Sequence, residues 1–162
     1  MRKTPPPEGT VFLVPLRDKG YAVGVLARAS GEGHCFGYFF GPRVMRAEEV
    51  EPNGLAPEDS ILEGKFGDLE LLRGRWPIVG VPKPWDRNRW KLLPLARIDE
   101  VSGRAWLSKY DDMFNCMEEK EITAAEAAGF PYDRMMGAGS VEIRLTKLLR
   151  SQQGPTGPVL EK

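Results

Sequence analysis

The chain has 162 residues, enough for one domain that buries most of its apolar surface and too few for two comfortable ones. With 41% hydrophobic and 28% charged residues it has the composition of a globular protein, which excludes a disordered or fibrous chain. Twenty-three Lys plus Arg balance twenty-three Asp plus Glu, so no net field draws it to nucleic acid or anionic membrane.

The zero net charge conceals segregation. From Glu48 to Glu70 the charges are mostly acidic, and from Arg73 to Arg97 mostly basic. The two cysteines, Cys35 and Cys116, match no CxxC or secreted framework, which predicts a reduced, cytoplasmic protein. The opening MRKTPPPEGT lacks the apolar core of a secretion signal, and no apolar run is long enough to span a membrane.

Elements follow in chain order. Pro5 to Pro7 form a stiff extended lead-in. Thr10 to Leu16 is an apolar run rich in β-branched and aromatic residues, a predicted strand; after the turn Arg17-Asp-Lys-Gly20, Tyr21 to Ala27 is its hairpin partner. Gly31-Glu-Gly33 breaks the chain again before a third strand, His34 to Phe40, stopped by Gly41-Pro42. Gly24 and Gly37 inside these strands permit the bend that a barrel corner needs. The expectation is a strongly bent, SH3-like or barrel-like antiparallel sheet in a mainly β (α+β) protein.

Arg46 to Glu63 reads as a polar connection with one helical turn, and Phe66 to Leu72 as either a helical turn or an edge strand. Gly64 to Gly80, GKFGDLELLRGRWPIVG, carries neither a nucleophile nor a metal cage; Trp76 is its core anchor at the start of a strand, Trp76 to Val81. Val81 to Trp85 is extended by its prolines, and Arg89 to Leu93 adds a short strand. Arg97 to Asp99 and Arg104 to Tyr110 form a hairpin, with Ala105, Leu107 and Lys109 on one face and Trp106, Ser108 and Tyr110 on the other. Thr123 with Glu126 is a capping box opening a helix from Ala124 to Ala128. Ser140 caps a last amphipathic helix, packed on the sheet through Val141, Leu145, Leu148 and Leu149, with Glu142, Arg144 and Lys147 facing water. Residues 1–150 make a single domain, and 151–162 a flexible tail.

No catalytic constellation assembles from these residues. His34 is the only histidine and cannot share a metal with Cys35, because neighbours on a strand point to opposite faces. Asp68 with Glu70 and Asp111 with Asp112 are the carboxylate pairs available for acid–base work, against the plainer reading of solvated acidic edges. The basic run interleaved with Trp76, Trp85 and Trp90 suits single-stranded nucleic acid by stacking and phosphate contacts. Pro77, Pro82 and Pro84, the neutral chain and the acidic neighbouring segment disfavour that reading. No glycine-rich stretch fits a phosphate loop.

The blocks Gly9-Thr-Val-Phe-Leu-Val-Pro-Leu16, Gly20-Tyr-Ala-Val-Gly-Val25 and Gly74-Arg-Trp-Pro-Ile-Val-Gly80, followed by a terminal amphipathic helix, resemble the immunity protein 26 family of bacterial polymorphic-toxin systems. Thr10 stands where that family commonly has an acidic residue, and the stretch from Pro84 to Leu95 is richer in basic residues and tryptophan. The resemblance implies a protein that binds a cognate toxin domain and neutralises it without chemistry, cofactor or metal. Specific interfaces draw their energy from a few Trp, Tyr and Arg anchors, with charge complementarity selecting the partner. The candidate contact residues are therefore Trp85, Arg87, Arg89 and Trp90 on one side and Asp68, Glu70, Asp111 and Asp112 on the other.

Overall fold

The computed structural model describes residues 4–82 and 84–153, with side chains through Arg150. Nine strands run in chain order: β1 (Val11–Pro15), β2 (Tyr21–Ala29), β3 (His34–Val44), β4 (Leu62–Gly67), β5 (Ile78–Gly80), β6 (Leu95–Ile98), β7 (Ala105–Tyr110), β8 (Cys116–Ile122) and β9 (Met135–Met136). Three α-helices join them: α1 (Leu69–Arg73), α2 (Ala124–Ala127) and α3 (Ala138–Gln153). A six-stranded sheet has the order β5-β1-β2-β3-β4-β9, and a three-stranded sheet the order β6-β7-β8.

The apolar runs of β1 to β3 exist because the larger sheet is covered on both faces. Side chains alternate across a strand, so a strand buried on both sides must be apolar throughout. Phe12, Val14, Leu26, Phe39 and Phe66 point to one face, which Trp76 and the α3 residues Val141, Leu145 and Leu149 close. Val11, Leu13, Val25, Phe36, Tyr38 and Phe40 point to the other, covered by Trp90 and Leu95 with Val50, Leu55, Trp85 and Leu92 at the margin.

The mainly β fold with its C-terminal helix is as expected, but the sheet does not close. Its edges are the short strands β5 and β9, and β9 runs parallel to β4. Gly24 and Gly37 do not serve as barrel corners: a Cβ on Gly24 would stand 2.5 Å from the Phe12 ring, and one on Gly37 2.7 Å from Phe66. These glycines let aromatic rings lie across the neighbouring strand. The register shifts of β2 fall instead between Tyr21 and Val23 and between Leu26 and Arg28.

Other elements refine the sequence reading. Arg46 to Glu63 holds three short 3-10 turns before β4 begins. The ambiguous Phe66 to Leu72 is both things in turn, β4 ending at Gly67 and α1 beginning at Leu69, with Gly74 in the left-handed conformation (φ 78°) ending the helix. Arg89 to Leu93 is irregular rather than a strand. The hairpin of β6 and β7 is present, and Thr123 and Glu126 form the expected capping box. β8 is a strand that the sequence reading did not contain, being exposed along almost its whole length.

Helix α3 differs at both ends. It starts at Ala138, so Ser140 lies inside it rather than capping it, and its backbone continues to Gln153; the remainder of the expected tail lies outside the described residues. Glu142 does not face water. Its Oε2 accepts the indole N–H of Trp76 at 2.9 Å, and its Oε1 pairs with Arg17 at 3.1 Å. Thr146 Oγ1 accepts the Arg17 backbone N–H at 2.9 Å, which with the apolar stripe fixes the helix against the β1–β2 turn.

A buried polar group joins the two sheets. Lys65 on β4 pairs with Asp133 at 2.8 Å, and the Tyr110 hydroxyl at the end of β7 donates to the other Asp133 oxygen at 2.6 Å. Burial, and then the hydrogen bond to Asp133, hold the Tyr110 phenol well above its ordinary pKa.

Candidate functional site

The segment from Pro84 to Trp90 crosses the face of the larger sheet opposite α3. Trp90 is buried, its ring edge-on to Tyr38 at 5.2 Å and to Phe40 at 5.9 Å. It is a core residue and offers a partner no surface. Trp85 stacks on Trp90 at 5.4 Å and remains half-buried. It also lies against Gly9, where φ is +92° and a Cβ would stand 2.8 Å from the Trp85 ring. Only glycine accepts both that backbone and that contact. Next to it Thr10 is fully buried, its hydroxyl donating to the Pro7 carbonyl at 2.6 Å, so this position has no room for a solvated carboxylate.

Arg28 organises the charges here. It is 6% exposed and sits just past a register shift in β2, a place where a bulge re-aims a side chain. Its Nη1 donates to the carbonyls of Ala27 (2.7 Å) and Trp90 (2.9 Å), its Nη2 to that of Arg87 (3.5 Å), and its Nε to Asp112 (3.3 Å). The backbone of the Arg87 to Trp90 turn is thus tied to β2.

Arg87 lies between two carboxylates, Glu8 at 2.6 Å and Asp112 at 2.7 Å. Those hydrogen bonds raise the Arg87 pKa above its ordinary value, and the Arg87 guanidinium, helped by Arg28, holds Asp112 below the usual carboxylate range. Arg89 pairs with Glu58 at 3.2 Å. A groove of about 100 Å³ beside them is lined by Pro52, Leu55, Pro82, Pro84, Trp85 and Arg89.

Asp111 has a local task. Its Oδ1 accepts the backbone N–H of Met113 and of Asn115, both at 2.9 Å, and these bonds lower its pKa. The resulting turn holds Phe114 at φ 65°, a strained value for a bulky residue, with its ring edge-on to His34 at 5.9 Å. It presents Met113 and Asp112 to solvent.

The fold therefore brings Trp85, Arg87, Arg89, Asp111 and Asp112 into one neighbourhood above buried Trp90. Asp68 and Glu70 belong to the α1 corner instead. Asp68 is buried, its carbonyl accepting the Leu72 N–H at 3.0 Å, and Glu70 pairs with Arg75 at 3.6 Å. As a contact surface Asp68 is inaccessible. Glu8 and Arg28 were missed by sequence reasoning, whereas Glu58 belongs to the acidic run from Glu48 to Glu70, set here against the basic run through Arg89; a lone arginine ending an otherwise apolar strand was the available signal for Arg28, and nothing local marks Glu8.

Among the described residues no group of three or more His, Cys, Asp or Glu side chains could hold a metal, and no helix is long and apolar enough to cross a membrane. The sequence model of the family described as Immunity protein 26 matches residues 7–107, more than half of the chain. The chain belongs to this family. The immunity protein 26 match runs from the N-terminal lead-in to Leu107 in β7, so it takes in Gly9, Trp76 and the whole Trp85 to Trp90 turn. Asp111, Asp112, β8, α2, β9 and α3 lie beyond it. Comparison with curated proteins and with solved structures finds no match.

Proposed function

We propose that the chain is an immunity protein that binds a cognate toxin domain in the cytoplasm and neutralises it by occupation, with no catalytic step and no cofactor. Residues 1–150 act as one binding domain. The observation that carries this reading is membership of the immunity protein 26 family. The geometry supports it through an aromatic held in place rather than mobile, Trp85 on Trp90 and Gly9, flanked by the ion pairs of Arg87 and Arg89 and by the groove of prolines. A preorganised aromatic with charged neighbours at the rim is the usual anatomy of a contact hot spot. Trp85, Arg87, Arg89 and Asp112 are the contact residues proposed, with Asp111 shaping the turn that carries Asp112. Nucleic acid is less well suited, because Arg87 and Arg89 already meet carboxylates and Trp90 is buried.

Where the gene adjacent to this one encodes a toxin domain, the test is coexpression of the two. The two proteins are expected to copurify, and the chain to restore growth of cells expressing the toxin. Arg89→Glu is expected to weaken the complex by about 1 to 2 kcal/mol or more at unchanged thermal stability, since its surface pair contributes little to folding. Absence of association, or association without protection, overturns the reading.

A further inference from the structure

A cavity of about 310 Å³ lies on the other side of the sheet from Trp85, beside α3. That is near the lower end for a ligand pocket, room for one or two side chains. Its apolar wall includes Ile61, Leu62, Phe130 and Met136, and Arg134 and Arg144 both line it. Arginines elsewhere in this chain, such as Arg17, Arg87 and Arg104, stand against carboxylates; Arg134 and Arg144 meet none among the described residues. Arg134 stacks on the Tyr132 ring at 5.1 Å, which orients its guanidinium without neutralising it. Glu63, the carboxylate of the lining, is engaged by the Ser60 hydroxyl.

The floor of this cleft is an open strand edge. β9 pairs with β4 only at Lys65 and Phe66, so along Leu62, Glu63 and Gly64 the outer edge of β4 has no partner strand among the described residues. An unpaired edge is a template for an added strand, and guanidinium groups recognise carboxylates bidentately. The far wall, Phe130 to Met136 and Arg144, lies beyond the residues that the immunity protein 26 model matches, so the cleft joins the matched part of the chain to the part that follows it.

We infer that this cleft binds an extended acidic segment of a protein partner, which adds to the β4 edge at Leu62 to Gly64, places an apolar side chain against Phe130 and Met136, and sets its carboxylates on Arg134 and Arg144. Recognition of a toxin through this segment rests on the immunity reading; the binding chemistry of the cleft does not.

The experiment is selection of random twelve-residue displayed peptides on the immobilised full chain. Peptides rich in Asp and Glu with an interspersed apolar residue are expected to enrich, to perturb the backbone amides of Leu62 to Gly64 in nuclear magnetic resonance titrations, and to bind Arg134→Glu/Arg144→Glu roughly tenfold to a hundredfold more weakly. The amide perturbation on the wild-type chain gives an answer independent of how that variant folds. No enrichment, enrichment of neutral or basic peptides, or undiminished binding to a folded double variant overturns the inference. A cognate toxin domain, once identified, separates the two readings: a toxin complex indifferent to the double variant retains immunity and removes the cleft, whereas cleft-dependent peptide binding without any toxin complex does the reverse.

Discussion

The indole N–H of Trp76 donates to Glu142 Oε2 at 2.9 Å, joining the aromatic core at β5 to helix α3 across 66 positions of sequence. The ring stacks on Phe12 at 5.8 Å and 5°, and tilts against Phe66 at 5.7 Å. A fully enclosed indole needs a partner for its polar edge, and the helix supplies a charged one. Trp76→Ala is expected to cost about 3 to 5 kcal/mol through the cavity it leaves. Trp76→Phe keeps most of the ring contact and loses the donor, for about 1 to 3 kcal/mol. Urea denaturation of both variants beside Glu142→Gln checks the order: the amide still accepts the indole proton, so Glu142→Gln is expected to be the mildest of the three.

Gly24 is expected to tolerate no side chain. The Phe12 ring that covers it is itself pinned against Trp76 and Phe39, so Gly24→Ala forces an overpacked core and loses about 1 to 3 kcal/mol. Gly80→Ala is the control, since a Cβ there meets nothing within 4 Å. It is expected to change stability by no more than about 0.5 kcal/mol. Equal losses at the two positions would show that strand propensity, rather than the Phe12 contact, sets the cost.

The Lys65–Asp133 pair is largely shielded from water, with side chains 15% and 8% exposed. Removing either partner strands a charge in the interface between the sheets, so Asp133→Ala and Lys65→Ala are each expected to cost about 3 to 5 kcal/mol. The double variant removes both charges and is expected to cost less than the sum of the two, a coupling that a double-mutant cycle reads directly. Additive losses would show that each residue acts through other contacts.

Alkaline pH is expected to weaken the fold through Tyr38. Burial, reinforced by the charge of Glu63, pushes its pKa up from 10.0 to about 12, while its hydroxyl donates to the Lys91 carbonyl at 2.7 Å. The unfolded chain releases this proton first, so between those two values the unfolded state binds fewer protons and stability falls as pH rises. Tyr110, also raised, acts in the same direction. Tyr38→Phe is expected to lose about 1 kcal/mol at neutral pH with its hydrogen bond and to show a shallower fall above about pH 10. Chemical denaturation of both proteins on either side of that pH measures the difference in slope.

The sequence by itself determined what depends on neighbours along the chain. Continuous apolar runs marked β1 to β3, Thr123 and Glu126 marked the start of α2, the glycine-flanked Trp76 marked a core anchor, and the order of blocks marked the family. Each carries its cause within a few residues, whether burial on both faces, reciprocal capping or a ring set between the glycine that ends α1 and the strand β5. Tertiary structure alone decided that the sheet stays open, that Glu142 turns inward to Trp76, that Arg87 closes on Glu8 and Asp112, and that Trp90 lies beneath Trp85. β8 was illegible because an exposed edge strand needs no apolar face, so its alternation leaves no trace in Cys116 to Ile122. The destinations of the charges were illegible for the same reason: ion pairs such as Arg87–Glu8 span 79 positions, and only the folded backbone brings such residues within reach.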